Sequence, residues 1–283
     1  MISTAIQLKA KIRNVSKGND RIAKSYIRIY FMERFMERVS LSKYRDNFIL
    51  KGGMLVSSLL GIDLRSTMDI DTTVESLPLT KEYMLEVLDE ICNIELEDNI
   101  VFKVVKIENI MDDFEYPGLR INMEATLEKL RQPVKIDIST NDKITPSAIE
   151  YEYKLMFEDR SILLNTYNIE TTLAEKTQTI ISRGTANTRM RDFYDIYKLE
   201  KEISFSVDVL KEAFKATCVR RGTEFTDKKI LEELKNISDS SILEELWNNY
   251  TSKNYYVGKV QYKEVVEAVQ RITNMIIALA AEE

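Results

Sequence analysis

The stretch Phe48–Val74, FILKGGMLVSSLLGIDLRSTMDIDTTV, guides the interpretation of the whole chain. A short apolar run leads into Gly52-Gly53, and the stretch ends in Asp69-Ile70-Asp71. Two carboxylates spaced i, i+2 in a strand project from the same face of a sheet. Like charges side by side destabilise a fold unless a cation lies between them. The stretch therefore predicts a site for a metal ion and for nucleotide phosphates.

The composition restricts the chemistry that the chain can perform. It has 283 residues, of which 44% are hydrophobic and 30% charged, as in a soluble globular protein. Histidine is absent, which excludes Ser-His-Asp and Cys-His catalysis and histidine-based metal sites. Any catalysis must therefore use carboxylates, lysine, arginine, hydroxyls or a hard metal such as Mg²⁺.

The same composition favours a cytoplasmic protein. No apolar run approaches the roughly 20 residues of a membrane span, and the start of the chain lacks the apolar region of a signal peptide. The two cysteines, Cys92 and Cys218, suggest neither a disulfide framework nor a zinc site. With a net charge of −6, a nucleic-acid partner would have to bind a local basic patch.

Hydrophobic periodicity predicts an α+β fold. Helical spacing over residues 3–14 and about 20–40 predicts two N-terminal helices, the second capped by Asp20, with Arg28, Arg34 and Arg38 on its solvated face. A short apolar run predicts a strand at 48–50, and a second strand is predicted at 69–74. Period-two patterns predict three more, at 101–107, 119–127 and 134–139. After about residue 150 the strand signal fades, and six helices are predicted, at 173–183, 189–201, 207–220, 228–235, 241–250 and 262–281. We therefore expect a mixed-sheet core with N-terminal helices over 1–150 and a helical domain over 151–283.

A third carboxylate, Asp137, projects from a strand opposite Val134, Ile136 and Ile138. Three carboxylates on neighbouring strands can hold Mg²⁺ through oxygen ligands, and the metal can bridge triphosphate oxygens. The alternative is that these are ordinary solvent-facing acids.

A phosphate site is predicted beside the acid pair. Gly53, at the start of a helix, lets backbone N–H groups approach phosphate closely. Arg65, Ser66 and Thr67 could hydrogen-bond the same phosphates. Neither a Rossmann fingerprint nor a Walker A loop is present.

A second charged cluster lies in the helical part of the chain. Lys176 and Arg183 share a helix face, as do Asp192 and Asp195. The functional interpretation places Lys176 on triphosphate oxygens, with Asp192 orienting it or accepting a proton. The alternative is a solvated pair of helices with ion pairs such as Arg191–Asp195 at i, i+4.

Four motifs follow one another over roughly residues 48–200: K-G-G, R-S-T-x-D-I-D, A-E-K and R-x-R-D-x-x-D. In this order they resemble the AbiEii abortive-infection toxins, which are similar to the mycobacterial MenT toxins. The resemblance implies a nucleotidyltransferase-like fold, Mg²⁺-dependent transfer from an NTP with a preference for GTP, and the 3′ end of tRNA as acceptor. It also implies a separately encoded antitoxin, in a type IV arrangement that acts on transcription without binding the toxin. Here Met54 stands where the family's general signature has a serine after the glycine.

The resemblance assigns roles to particular residues. Asp69 and Asp71 match the metal-binding acids, and Asp137 would be the third. Lys176 and Asp192 match the basic and acidic catalytic positions of the later motifs. The nucleotide would contact Gly53, Ser66, Thr67, Lys176 and Arg191. Both parts of the chain are then expected to be needed for activity.

Two alternatives stay open on the sequence. The chain could be a nucleotide-binding or partner-binding module without transfer activity, although intact acids and Lys176 argue against a degenerate enzyme. The nucleotide could instead be transferred to a protein hydroxyl. A group of basic residues favours RNA as the acceptor, because clustered cations bind phosphate backbones; its members are Arg183, Arg189, Arg191, Arg220 and Arg221.

Overall fold

A computed structural model describes residues 1–110 and 118–277 of the chain. These residues pack as two compact units. The first unit comprises Met1–Ile62, Ser66–Asp142 and Ile149–Thr166, and the second comprises Asp63–Arg65, Lys143–Ala148 and the described part of Tyr167–Glu283.

The first unit contains a mixed seven-stranded sheet, as far as the chain is described. Its strands are β1 (Phe48–Lys51), β2 (Ile70–Val74), β3 (Ile100–Ile110), β4 (Gly118–Leu127), β5 (Leu130–Thr140), β6 (Ile149–Lys154) and β7 (Ser161–Thr166). Their order is β3-β4-β5-β2-β1-β7-β6. The pairs β2–β5 and β1–β7 are parallel, and the others are antiparallel. The predicted mixed sheet and all five predicted strands are confirmed.

The last two strands correct the prediction that the strand signal fades after about residue 150. β6 and β7 form an antiparallel pair, and β7 extends the sheet beside β1. The pattern was present in the sequence, because Ile149, Tyr151 and Tyr153 alternate with charged residues in β6. The edge strand β6 is short, and the sequence that follows β7 is helical, so this strand pattern was missed. The division into domains 1–150 and 151–283 stays a prediction.

Four helices accompany this sheet: α1 (Ala5–Ser16), α2 (Asp20–Leu41), α3 (Gly52–Leu60) and α4 (Lys81–Cys92). Asn19, and not Asp20, caps α2, because its side chain accepts hydrogen bonds from the N–H groups of Arg21 and Ile22. The predicted solvated arginine face is wrong for Arg34 and Arg38, which are 1% and 2% exposed.

The buried arginines are tolerated because acids neutralise them. Arg34 contacts Glu37 and Glu158 at 2.8 and 3.0 Å. Arg38 makes two hydrogen bonds to the buried Asp98, of 2.8 and 2.9 Å. Buried charges persist in a fold only when paired in this way.

The second unit is helical. Its helices are α5 (Ile169–Arg183), α6 (Met190–Glu202), α7 (Val207–Arg220), α8 (Asp227–Ser238), α9 (Ser241–Lys253) and α10 (Tyr262–Ile277). All six predicted helices are confirmed, and residues 278–281 of the last prediction lie outside the described residues. Across the described residues, every helix is too short or too polar to cross a bilayer.

Candidate functional site

The acid pair lies at the start of β2. Ile70 is fully buried, whereas Asp69 and Asp71 are only partly buried. Asp71 belongs to β2, and its carboxylate lies on the face opposite Ile70, because successive side chains of a strand point to opposite faces. Asp69 lies one residue before the strand, and Lys135 reaches both Asp69 and Asp137, the register partner of Asp71.

Asp137 lies beside this pair. β2 and β5 run parallel, and the register pairs Asp71 directly with Asp137. Arg120, the register partner of Asp137 on β4, donates to both of its carboxylate oxygens at 2.8 Å. Lys135 lies 2.6 Å from an oxygen of Asp69 and 3.9 Å from one of Asp137. The three predicted acids thus lie close to one another, beside two cations, Lys135 and Arg120, that were not among the predicted site residues.

The double glycine brings the backbone of α3 against Asp71. The N–H of Gly53 donates to Oδ2 of Asp71 at 3.2 Å. Gly52 has φ +62°, and a Cβ atom there would lie 2.2 Å from the same oxygen. Only glycine combines this backbone conformation with such a close approach. The K-G-G motif therefore positions an acid, in addition to the phosphate contact predicted for Gly53.

The environment of Asp71 fits a bound cation. Burial raises the pKa of Asp71, and the charge of Asp69 raises it further, while the Gly53 N–H and Lys51 act in the opposite direction. A hard divalent cation held by Asp69 and Asp71 would neutralise the two like charges.

Asp137 fits a metal less well than the other two acids, because Arg120 already engages both of its oxygens. Within residues 1–110 and 118–277, the acidic and cysteine side chains form no group of three or more that is arranged to hold a metal ion. Asp137 as a metal ligand stays a prediction.

The R-S-T segment differs from the predicted phosphate contact. Ser66 and Thr67 are 7% and 0% exposed, and the hydroxyl of Thr67 donates to the backbone oxygen of Asp69 at 3.2 Å. Thr67 therefore fixes the backbone that carries the acid. Arg65 is buried in the second unit, where it binds Asp195. The guanidinium of Arg65 is therefore held by Asp195 in the interior and does not lie at a surface that phosphate could reach.

The second cluster lies on α5 and α6. Nζ of Lys176 lies 2.7 Å from Oδ1 of Asp192 and 2.8 Å from Oδ2 of Asp195. Arg65 makes two hydrogen bonds to Asp195, of 2.7 and 3.1 Å, and Arg189 lies 2.9 Å from Asp192. The cluster thus contains three cations and two carboxylates, and its interior is buried, with Asp195 fully inaccessible.

Ion pairing outweighs burial in this cluster. Burial alone would lower the pKa of Lys176, but the charges of Asp192 and Asp195 raise it above the usual value. Burial would likewise raise the pKa of Asp195, but Arg65 and Lys176 hold it well below its usual range. Lys176 therefore stays protonated at neutral pH. An ammonium group has three N–H donors, of which two serve these acids.

The predicted Arg191–Asp195 pair is replaced by other contacts. Asp195 binds Arg65 and Lys176, and the arginine that contacts Asp192 is Arg189. Arg191 is only partly buried, so contact with a nucleotide stays a prediction. Arg65 and Asp195 are 130 residues apart, so sequence spacing gave no signal for this pair.

Both charged clusters lie within the part of the chain that matches a known protein family. The model of the family described as nucleotidyl transferase AbiEii toxin, type IV toxin–antitoxin system, matches residues 34–268. This chain belongs to the AbiEii toxin family. The match includes both the Asp69–Asp71 pair and the Lys176–Asp192 pair, and it shows that the chain is a nucleotidyltransferase toxin by family. Its family membership confirms the resemblance inferred from the four motifs.

Further comparisons give more distant likenesses to this AbiEii-family chain. None of the curated protein sequences matches it. JHP933 from Helicobacter pylori aligns with 15% identity and a TM-score of 0.47, over 98% of this chain and 97% of that chain. A second H. pylori protein, described as a candidate nucleotidyltransferase, aligns with 17% identity and a TM-score of 0.47, over 88% and 94% of the two chains. An antigenic nucleotidyltransferase-like protein from Paracoccidioides brasiliensis aligns with 13% identity and a TM-score of 0.32, over 95% of each.

Proposed function

We propose that this AbiEii-family toxin is a Mg²⁺-dependent enzyme that transfers a nucleotide from an NTP, preferentially GTP, to the 3′ end of tRNA. Its antitoxin would be encoded separately and act without binding the toxin. The observation that carries the proposal is the position of Asp71. It lies beside Asp69, pairs in register with Asp137, and accepts a hydrogen bond from Gly53 at the start of α3.

Asp69 and Asp71 would hold the metal. When bound, the metal supplies charge neutralisation on the triphosphate and lowers the pKa of the attacking hydroxyl. The acceptor hydroxyl attacks the α-phosphorus in line and forms the new P–O bond, the bond from the α-phosphorus to the bridging oxygen of the β-phosphate breaks, and pyrophosphate and the hydroxyl proton are released. Positioning and charge stabilisation supply most of the catalysis in such phosphoryl-type transfers.

The chain's own residues prepare this arrangement. Gly53 N–H holds one oxygen of Asp71, and Thr67 fixes the backbone of Asp69. In the second unit, Asp192 and Asp195 keep Lys176 protonated and fix its position. We propose that the remaining N–H of Lys176 contacts a phosphate oxygen and that Arg191 assists in nucleotide binding.

The proposal is tested by incubating the full chain with each α-labelled NTP, total RNA and Mg²⁺, and following the label into RNA and protein. We expect label in tRNA, greatest with GTP, and loss of at least about a hundredfold in Asp71→Asn, the magnitude for removing a main electrostatic group. Asp46→Asn is a matched control, because the side chain of Asp46 is 81% exposed. Full activity of Asp71→Asn would overturn the proposal, and label in protein alone would identify a protein hydroxyl as acceptor.

A second candidate is a nucleotide-binding or partner-binding module without transfer activity. One observation favours it: Lys135 and Arg120 already neutralise Asp69 and Asp137. If this is correct, toxicity and GTP binding will persist in Asp69→Asn and Lys176→Met cells. The nucleotidyltransferase proposal predicts that both variants permit normal growth.

A further inference from the structure

A serine, a lysine and an aspartate meet on one face of the sheet in the first unit. Nζ of Lys51 donates to Oγ of Ser139 at 2.7 Å and forms an ion pair with Asp142. Oγ of Ser139 also lies 2.7 Å from Oδ2 of Asp142 and 3.3 Å from the backbone oxygen of Thr72. The side chains of Lys51 and Asp142 are 17% and 15% exposed, so solvent reaches the group. We call Lys51, Ser139 and Asp142 the Ser139 cluster.

The Ser139 cluster lies on the same sheet face as the candidate metal acids. Ser139 follows Asp137 by two residues on β5, and residues two apart on a strand share a face. Their separation along a strand is roughly 7 Å. Lys51 is the register partner of Asp71, and Ser139 is the register partner of Thr73 on β2. The hydroxyl of Ser139 therefore lies close enough to Asp71 and Asp137 for a nucleotide bound at these acids to reach it.

The cluster combines three groups that a transfer to serine requires. The hydroxyl is the nucleophile. Asp142 is within hydrogen-bond distance and can accept its proton, as the catalytic aspartate of protein kinases does for a substrate hydroxyl. Lys51 places a positive charge beside the hydroxyl, where negative charge develops on the attacked phosphoryl group.

We infer that Ser139 is a site of self-modification, where the protein transfers a nucleoside monophosphate to its own hydroxyl. This inference rests on the proposed nucleotidyltransferase function, because an NTP is the donor. Oγ of Ser139 attacks the α-phosphorus and forms an O–P bond. The bond between the α-phosphorus and the bridging oxygen to the β-phosphate breaks, and pyrophosphate leaves. The hydroxyl proton passes to Asp142.

The test is mass analysis of the purified full chain after incubation with Mg²⁺ and each of the four NTPs. Trypsin releases residues 136–143, IDISTNDK, which carry two hydroxyls, Ser139 and Thr140. We expect this peptide to gain one nucleoside monophosphate at Ser139. The modification will be absent in Ser139→Ala and retained in Thr140→Ala, the neighbouring control, whose hydroxyl donates to Val74. In Asp142→Asn its rate will fall by about a hundredfold or more, as on removal of a general base.

The outcomes separate this inference from the proposed function. Label in RNA with unmodified protein would overturn the inference and leave the proposed function standing. Modified Ser139 without label in RNA would support the inference and reject RNA as acceptor. Modification that persists in Ser139→Ala, or a gain of phosphate alone, would overturn the inference. No transfer to RNA or protein with any NTP would overturn both. Thermal unfolding of Asp142→Asn establishes that a lost signal does not come from misfolding.

Discussion

At the scale of single residues, Gly52 tests how closely α3 must approach Asp71. In Gly52→Ala the new Cβ atom would lie 2.2 Å from Oδ2 of Asp71, so the carboxylate must move. We expect nucleotide transfer to fall at least about tenfold, since small displacements of a positioned group are costly. The left-handed backbone adds a loss of about 1–2 kcal/mol in the free energy of unfolding. Transfer assays and urea denaturation measure the two effects.

Gly61→Ala provides the matched control for this variant. Gly61 also has a positive φ, of +89°, but a Cβ atom at this position would meet no neighbouring atom within 4 Å. Gly61→Ala should therefore lower the free energy of unfolding through backbone strain and leave nucleotide transfer unchanged. Equal transfer by the two variants would contradict the role assigned to Gly52.

Arg65 is predicted to stabilise the second unit through Asp195. Arg65→Met leaves the inaccessible carboxylate of Asp195 with Lys176 as its remaining cation in this cluster. Removal of one partner of a buried ion pair costs about 3–5 kcal/mol, and we expect a loss of this size in the free energy of unfolding. Lys263→Ala, in an ion pair whose lysine is 86% exposed, should unfold like the parent protein. Urea denaturation that does not separate the two variants would show that the Arg65–Asp195 contact contributes nothing.

At the scale of elements, the buried face of α2 makes the first unit sensitive to pH. Glu33 is 2% exposed and accepts hydrogen bonds from Tyr153 OH at 3.3 Å and Met156 N–H at 3.1 Å. Burial raises the pKa of Glu33 to about 8. Between its unfolded pKa of about 4.5 and about 8, the folded state therefore binds the extra proton. The contribution of Glu33 to the free energy of unfolding must then decrease as the pH rises, by up to about 1.4 kcal/mol per pH unit.

Glu33→Gln removes this titration. We expect the variant to lose the decrease in stability over the same pH range, as measured by urea denaturation at several pH values. Glu152→Gln, at an exposed position on β6, should follow the parent protein. The same pH dependence of stability in Glu33→Gln and in the parent protein would refute the assignment.

Periodicity predicted the elements whose pattern of buried and exposed residues repeats along the sequence itself. β4 and β5 alternate buried and partly exposed residues, and the α10 sequence keeps a helical apolar stripe. The acid pair was predictable for the same reason, because two residues at the start of one strand determine it. The pairs Arg65–Asp195 and Arg38–Asp98 were not, since each joins residues 60 or more apart. The sequence suggested a phosphate contact for Arg65 and a solvated position for Arg38, and only the tertiary fold shows that a buried acid neutralises each arginine.

At the scale of the whole molecule, the charged groups that the family motifs identify fall into two separate structural units. Asp69, Asp71 and Asp137 belong to the first unit, whereas Lys176 and Asp192 belong to the second. Each cluster has its own contacts within its unit. A shared role is therefore a functional hypothesis, and it requires a functional test.

Double substitution provides this test. If Asp71 and Lys176 stabilise one transition state, Asp71→Asn and Lys176→Met will each reduce transfer by about a hundredfold or more. The double variant will be little worse than the more damaging single variant, because groups that act as a unit have strongly non-additive effects. Lys198→Met serves as the lysine control, since Lys198 pairs with Glu202 on the same helix at 3.0 Å. Effects that multiply in the double variant would mean that the two clusters act independently, and that Lys176 serves the stability of its own unit.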